Sequence, residues 1–179
     1  TAWYRNTFTL PKEAKGKKVL LLFEGAMSEP QVYLNGKKVG EWAYGYSYFY
    51  FDVSQFIQEG ANTVAVKLSN KEFASRWYPG AGLYRKVSVI IKNNESIDQW
   101  GQFITTPFIS DAVAKVNIKT KASGENTRLV TTIFDAEGHK VSAEESSLRF
   151  GKEFDQNLKV ENPKLWSPET PYLYKAVAQ

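Results

Sequence analysis

At 179 residues the chain can hold one large domain or two small ones, with an ordinary apolar fraction of 42% and aromatics raised to 15%. Cysteine is absent, which excludes disulfides and thiolate metal sites, and no apolar run nears the ~20 residues of a membrane span. The net charge of +4 divides unevenly: residues 1–91 hold 12 Lys+Arg against 7 Asp+Glu, residues 92–179 hold 11 against 12. The extra lysines (Lys12, Lys15, Lys17, Lys18, Lys37, Lys38) sit in turns. A nucleic-acid surface needs them along one face, so no nucleic-acid partner is expected.

The chain opens in mid-pattern at Thr1-Ala2-Trp3-Tyr4-Arg5 without a signal peptide, as expected once a leader has been removed. Val19-Leu20-Leu21-Leu22-Phe23, within residues 18–24, is apolar throughout and predicts a strand covered on both faces. Asn35-Gly36 lies between two apolar runs in residues 31–40 and predicts a tight hairpin. Residues 46–53 set Tyr46, Tyr48 and Tyr50 against Phe49, Phe51 and Val53, which predicts a strand with two unlike faces. Val53–Gln58 could form a helical turn capped by Asp52 or Ser54. Alternation predicts further strands at 62–68 and 84–91.

Between the last two runs lies Ser75-Arg76-Trp77-Tyr78-Pro79-Gly80-Ala81-Gly82-Leu83-Tyr84-Arg85. Gly80 and Gly82 permit turns that other residues resist, and Pro79 fixes its own φ. Such a loop is held stiffly and presents aromatic faces and an arginine to a sugar or a neighbouring domain. Alternatively, it only plugs the end of a sandwich.

A boundary is expected at the polar Lys92-Asn93-Asn94-Glu95. Trp100–Ser110 is expected to run extended along the first domain. Strands resume with Ala114, Val116 and Ile118, then residues 127–134, a turn at Asp135–Gly138, a run through Phe154, Leu158 and Val160, and a last strand near Tyr172–Val177. Short strands with turn signals roughly every 8–12 residues predict a small sandwich of immunoglobulin type. The fold class is therefore all-β.

Trp3-Tyr4-Arg5 with Phe8, then Phe23-Glu24-Gly25, Val32 through Gly40, Gly45-Tyr46, Phe51-Asp52-Val53, Gly60-Ala61-Asn62 and Gly80 through Arg85, resemble the front domain of family 2 glycoside hydrolases. Glu161-Asn162-Pro163, Leu165-Trp166-Ser167-Pro168-Glu169 and Pro171-Tyr172-Leu173-Tyr174 resemble the close of that family's immunoglobulin-like domain. The resemblance covers essentially the whole chain. It implies a jelly-roll, galactose-binding-like sandwich over residues 1–92 and an immunoglobulin-like sandwich over 93–179. The aromatic Trp77-Tyr78-Pro79-Gly80 form looks most like the β-galactosidases.

Members of this family are retaining glycosidases that use two glutamates about 5–5.5 Å apart. Both lie on a following (β/α)8 barrel of about 250 residues. The resemblance therefore implies no catalytic residue in this chain, and an isolated segment without activity. It implies as partners a carbohydrate (a β-galactoside or a plant or host glycan) and the barrel of the parent chain, with a homo-oligomeric parent and a periplasmic or secreted bacterial location. The loop ahead of Gly82 reaches the barrel rim in the family, where several members carry an aspartate. Here that position is Arg76, which cannot accept a hydrogen bond and would donate to substrate or pair with a barrel carboxylate. Arg76 and Trp77 are thus the candidate substrate-binding residues. Trp77 could stack on a sugar or pack on the barrel, and Tyr78 is expected to pack. The alternative is a free-standing carbohydrate-binding module with an adhesin-like domain.

Other candidates read as structural. Asn94-Glu95 mimics the family's acid/base dipeptide but lies in a polar linker, and Glu144-Glu145 is expected to be a solvated pair near a turn. His139 follows Gly138 in a turn with no second histidine, so no metal site is expected. Asp52 reads as a cap or turn residue and Trp166 as core of the second sandwich. No cofactor is expected.

Overall fold

The computed structural model describes residues 1–71, 77, 80–125, 127–148 and 152–179. The chain divides into two compact units, Thr1–Asn93 and Asn94–Gln179.

The first unit contains β1 (Ala2–Thr9), β2 (Lys18–Phe23), β3 (Gln31–Leu34), β4 (Lys37–Glu41), β5 (Phe49–Asp52), β6 (Ala61–Leu68) and β7 (Val87–Lys92). One sheet runs β1-β6-β3-β4 and the other β5-β2-β7, antiparallel throughout. They close on a core of Val19, Leu21 and Phe23 from β2, Phe49 from β5, Val32 and Leu34 from β3, and Val66 and Leu68 from β6. This is the expected jelly-roll sandwich. Leu20, on the other face of β2, is buried as well, as its unbroken apolar run requires.

Asn35 (φ +50°) and Gly36 (φ +79°) form the two-residue turn between β3 and β4. Both sit in the left-handed region that this turn demands. The Asn35 side chain also ties the turn inward. Its Nδ2 donates to Phe56 O and Asn62 Oδ1, both at 2.9 Å, and its Oδ1 accepts from Thr63 N at 2.9 Å. Asn62 is fully buried. Its Oδ1 also accepts from Gln58 N, and its Nδ2 donates to Gln58 O and Gly60 O. Asp52 is a turn residue one position before the N-cap, Val53: its Oδ1 accepts from Ser54 N (3.0 Å) and Ser54 Oγ (2.6 Å) ahead of a 3-10 turn at Ser54–Phe56.

Two strands are shorter than alternation predicted. Tyr46 and Tyr48 precede β5 in a turn, so the tyrosine face does not form. Strand β7 begins at Val87, since Tyr84 is held by contacts of its own, described below.

The second unit contains β8 (Ser96–Ile109), β9 (Val113–Ser123), β10 (Thr127–Phe134), β11 (Lys140–Leu148), β12 (Glu153–Glu161) and β13 (Lys175–Ala178), in sheets β12-β9-β8 and β11-β10-β13. The immunoglobulin-like sandwich closes on Ala114, Ile118, Ile133, Leu158 and Val160, with a satellite cluster at Ala122, Leu129 and Phe154. Trp100–Ile109 is extended as expected, but it belongs to β8 and pairs with β9 of its own unit. The register breaks twice along it, once beside Trp100 (φ +54°) and once around Pro107, which lacks a ladder donor.

Three further expectations fail here. Trp166 is 59% exposed, so it is not core; it lies in the irregular stretch after Pro163, outside both sheets. The last strand starts at Lys175, because Tyr172 and Tyr174 turn their hydroxyls to backbone N–H groups, Ala136 N at 3.1 Å and Lys164 N at 2.9 Å. Glu144 and Glu145 lie inside β11 and not near a turn: Asn157 N donates to Glu144, and Arg128 pairs with Glu145, which stays solvated at 52% exposed.

Gln156 is fully buried on β12 and reaches across to the other sheet. It accepts from Thr131 Oγ1 and donates to Glu144 O and Ser146 Oγ, both at 3.2 Å. Gln156→Leu keeps the volume but strands Thr131 in a dry interior. It should lower stability by about 2 kcal/mol in urea denaturation; a loss below about 0.5 kcal/mol would show that the network is idle.

Candidate functional site

Four of the segments that carry the resemblance, those around Tyr4, Gly25, Gly45 and Gly82, meet at one place. Met27 and Gly82 form an isolated antiparallel bridge, each N–H bonding the other's carbonyl at 3.0 Å. Ala26 N donates to Gly45 O at 3.2 Å, and Tyr84 OH donates to the same oxygen at 3.0 Å. The glycines explain the fit. A Cβ on Gly25 would lie 2.7 Å from the Tyr84 ring, one on Gly45 2.7 Å from Met27 Sδ, and one on Gly82 2.6 Å from Tyr4 Oη. Gly82 also has φ +119°, which L side chains rarely adopt.

On this scaffold sits an exposed aromatic cluster. Tyr46 packs edge-on against both Tyr44 (5.7 Å) and Tyr84 (6.5 Å). Trp77 is 65% exposed, and its Nε1 donates to Tyr46 Oη at 3.1 Å. The Arg85 guanidinium lies 5.4 Å from the Tyr84 ring centroid. Nearby in sequence, Trp42 stacks on Phe49, which stacks on Phe23, so that ring is anchored to the core. Rings with an apolar face and a wet polar edge suit the apolar faces and hydroxyls of sugars.

Of the two candidate residues, Trp77 stands in this cluster. Arg76, like Tyr78 and Pro79, lies outside the described residues. Tyr84 belongs to the loop singled out in the sequence, whereas Tyr44 and Tyr46 join Trp77 unannounced. The alternation of Tyr44, Tyr46 and Tyr48 was the available signal, and it reads equally as a strand.

The His139–Asp135 pair serves local structure. His139 N donates to Asp135 Oδ1 at 2.7 Å, and its ring Nδ1 lies 3.2 Å from Oδ2. Burial opposes ionisation of Asp135, but the bonds from His139 outweigh it and hold the carboxyl below its ordinary range. Among the described residues, no three His, Cys, Asp or Glu side chains converge as a metal site would require.

Residues 1–100 match the model for the sugar binding domain of glycosyl hydrolases family 2, and residues 97–179 match a further model of glycosyl hydrolases family 2. The chain is 35% identical to the β-galactosidase BoGH2A of Bacteroides ovatus, over 99% of its own length and 22% of that protein's. A solved family 2 member from Bacteroides cellulosilyticus superposes with a TM-score of 0.90 at 30% identity, covering 98% of this chain and 24% of the other. A family 2 β-glucuronidase superposes with a TM-score of 0.88 at 29% identity, over 98% and 22%. The chain thus spans under a quarter of the length of these relatives. It belongs to glycosyl hydrolases family 2, whose sugar-binding and immunoglobulin-like domains it carries.

Proposed function

We propose that this chain is the non-catalytic front of a retaining β-galactosidase that releases terminal β-galactosides. The β-galactosidase name of the Bacteroides ovatus relative supports the substrate. In this reading a following barrel supplies the nucleophile and the acid/base. The chain packs on that barrel, shapes the rim of the active site and supports oligomerisation.

The observation that carries the reading is the exposed Trp77 ring, held by Tyr46 and backed by Tyr84 on a glycine-tight scaffold. An aromatic wall fixed in place can stack on a sugar without losing much side-chain freedom on binding. Arg76, one residue earlier, would donate to a sugar hydroxyl or pair with a barrel carboxylate.

The test uses the parent protein and nitrophenyl glycosides. Trp77→Ala should lower kcat/KM on the β-galactoside by roughly tenfold, about 1.4 kcal/mol of transition-state stabilisation, while the protein stays folded. The β-galactoside should be turned over much faster than the β-glucuronide, and this chain alone should turn over neither. Faster β-glucuronide hydrolysis would overturn the substrate. Turnover by the chain alone would overturn the non-catalytic role. An unaffected Trp77→Ala would remove the rim role.

A further inference from the structure

The outward face of sheet β1-β6-β3 carries none of Tyr44, Tyr46, Trp77 and Tyr84. Strand pairing puts Trp3 beside Lys67, Arg5 beside Ala65 and Thr7 beside Thr63, with Tyr33 on the far side of Ala65. Alternation turns these side chains to one face, while Val64, Val66, Val32 and Leu34 turn to the core. The small Ala65 leaves a gap between larger neighbours. The result is an open depression of about 510 Å³ lined by Trp3, Arg5, Thr7, Tyr33, Thr63 and Ala65.

Its chemistry is specific. Trp3 is 57% exposed, and its ring is tilted 42° from that of Tyr33 at 5.6 Å, forming a wedge and not a closed stack. Thr7 and Thr63 place their hydroxyls 3.3 Å apart at one end. Arg5 lines the depression; Lys67, just outside its lining, is the diagonal neighbour of Arg5 across the strands, with backbones on the order of 7–8 Å apart. Among the described residues neither has an ion-pair or hydrogen-bond partner, and the nearby Glu41 is already held by Lys38 at 2.7 Å. The face therefore carries an aromatic wall, a hydroxyl pair and two cations without a counter-charge.

We infer that this face is a saccharide-binding site for sugars bearing a carboxylate, with the pyranose ring against Trp3, the carboxylate between Arg5 and Lys67, and ring hydroxyls on Thr7 and Thr63. The arginine fork matches a carboxylate in two parallel hydrogen bonds. A neutral sugar would leave both cations without a counter-charge, which is why the site selects acidic ones. The site would hold the protein on acidic polysaccharide.

Calorimetric titration of the chain with trigalacturonic acid and with neutral galactotriose tests this. The acidic trisaccharide should bind at least tenfold more tightly, and its affinity should fall as salt is raised. Trp3→Ala and Arg5→Gln should each weaken it by tenfold or more. Both side chains are exposed, and unchanged melting curves would confirm intact folding. Amide chemical-shift changes should map to β1, β3 and β6. Equal affinity for the two trisaccharides, no binding, or shifts centred on Tyr46 and Tyr84 would each overturn the proposal. So would self-association abolished by Trp3→Ala, which would give the face to a second copy of the chain.

Discussion

Asn62→Ala should lower the stability of the first unit by about 3 kcal/mol, the largest effect expected of one side chain here. The amide is fully buried, and both of its heteroatoms are doubly bonded. Its removal leaves the Asn35 Nδ2 and the Gln58 and Gly60 backbone groups short of partners, although the exposed end of the loop lets water reach some of them. That access limits the loss to less than the sum of the four bonds. Asn62→Asp also forfeits the two donated bonds, and it turns a carboxylate oxygen toward the Gln58 and Gly60 carbonyls in a fully buried site, so near neutral pH it should cost at least as much as alanine. Both variants are compared by urea denaturation followed by tryptophan fluorescence. A loss under about 1 kcal/mol for the alanine variant would mean that the network contributes little.

Gly82→Ala should cost about as much, for two separable reasons. The φ of +119° is strained for any side chain, at about 1–3 kcal/mol. The new Cβ would also lie 2.6 Å from Tyr4 Oη. Tyr4→Phe removes that oxygen, leaving the nearest ring carbon at an ordinary 3.5 Å. The double variant should recover the contact part and keep the backbone part, so the two changes are non-additive in a double-mutant cycle. Strict additivity would refute the contact. Because Gly82 bridges Met27 beneath the aromatic cluster, the single variant should also disturb the fluorescence of Trp77.

The sequence revealed the fold wherever one local pattern had one meaning. Asn35-Gly36 can make little else but a tight hairpin, and the unbroken Val19–Phe23 run suits only a covered central strand. It was silent where the signal was long-range. Strand β11 has only Val141, Ala143 and Leu148 among serines and glutamates, and it is a strand because β10 pairs with it. Trp166 looked like core because tryptophan usually is, and only the three-dimensional path of the Pro163–Pro171 stretch shows it exposed. The candidate site was half legible. The sequence pointed to Trp77 through its glycine-rich neighbours, yet Tyr46 and Tyr44 come from more than thirty residues away. No spacing rule joins them.

Strand β12 alternates exposed and buried side chains without a break from Glu153 to Glu161. A single-residue deletion there would send Asp155, Asn157 and Lys159 inward and expel Phe154, Leu158 and Val160. Length variation between homologues should thus be confined to places such as the Asp135–Gly138 turn, where Gly138 has nothing within 4 Å of a built Cβ. A peptide tag spliced into that turn would leave the sandwich whole, whereas the same tag in β12 would unmake it.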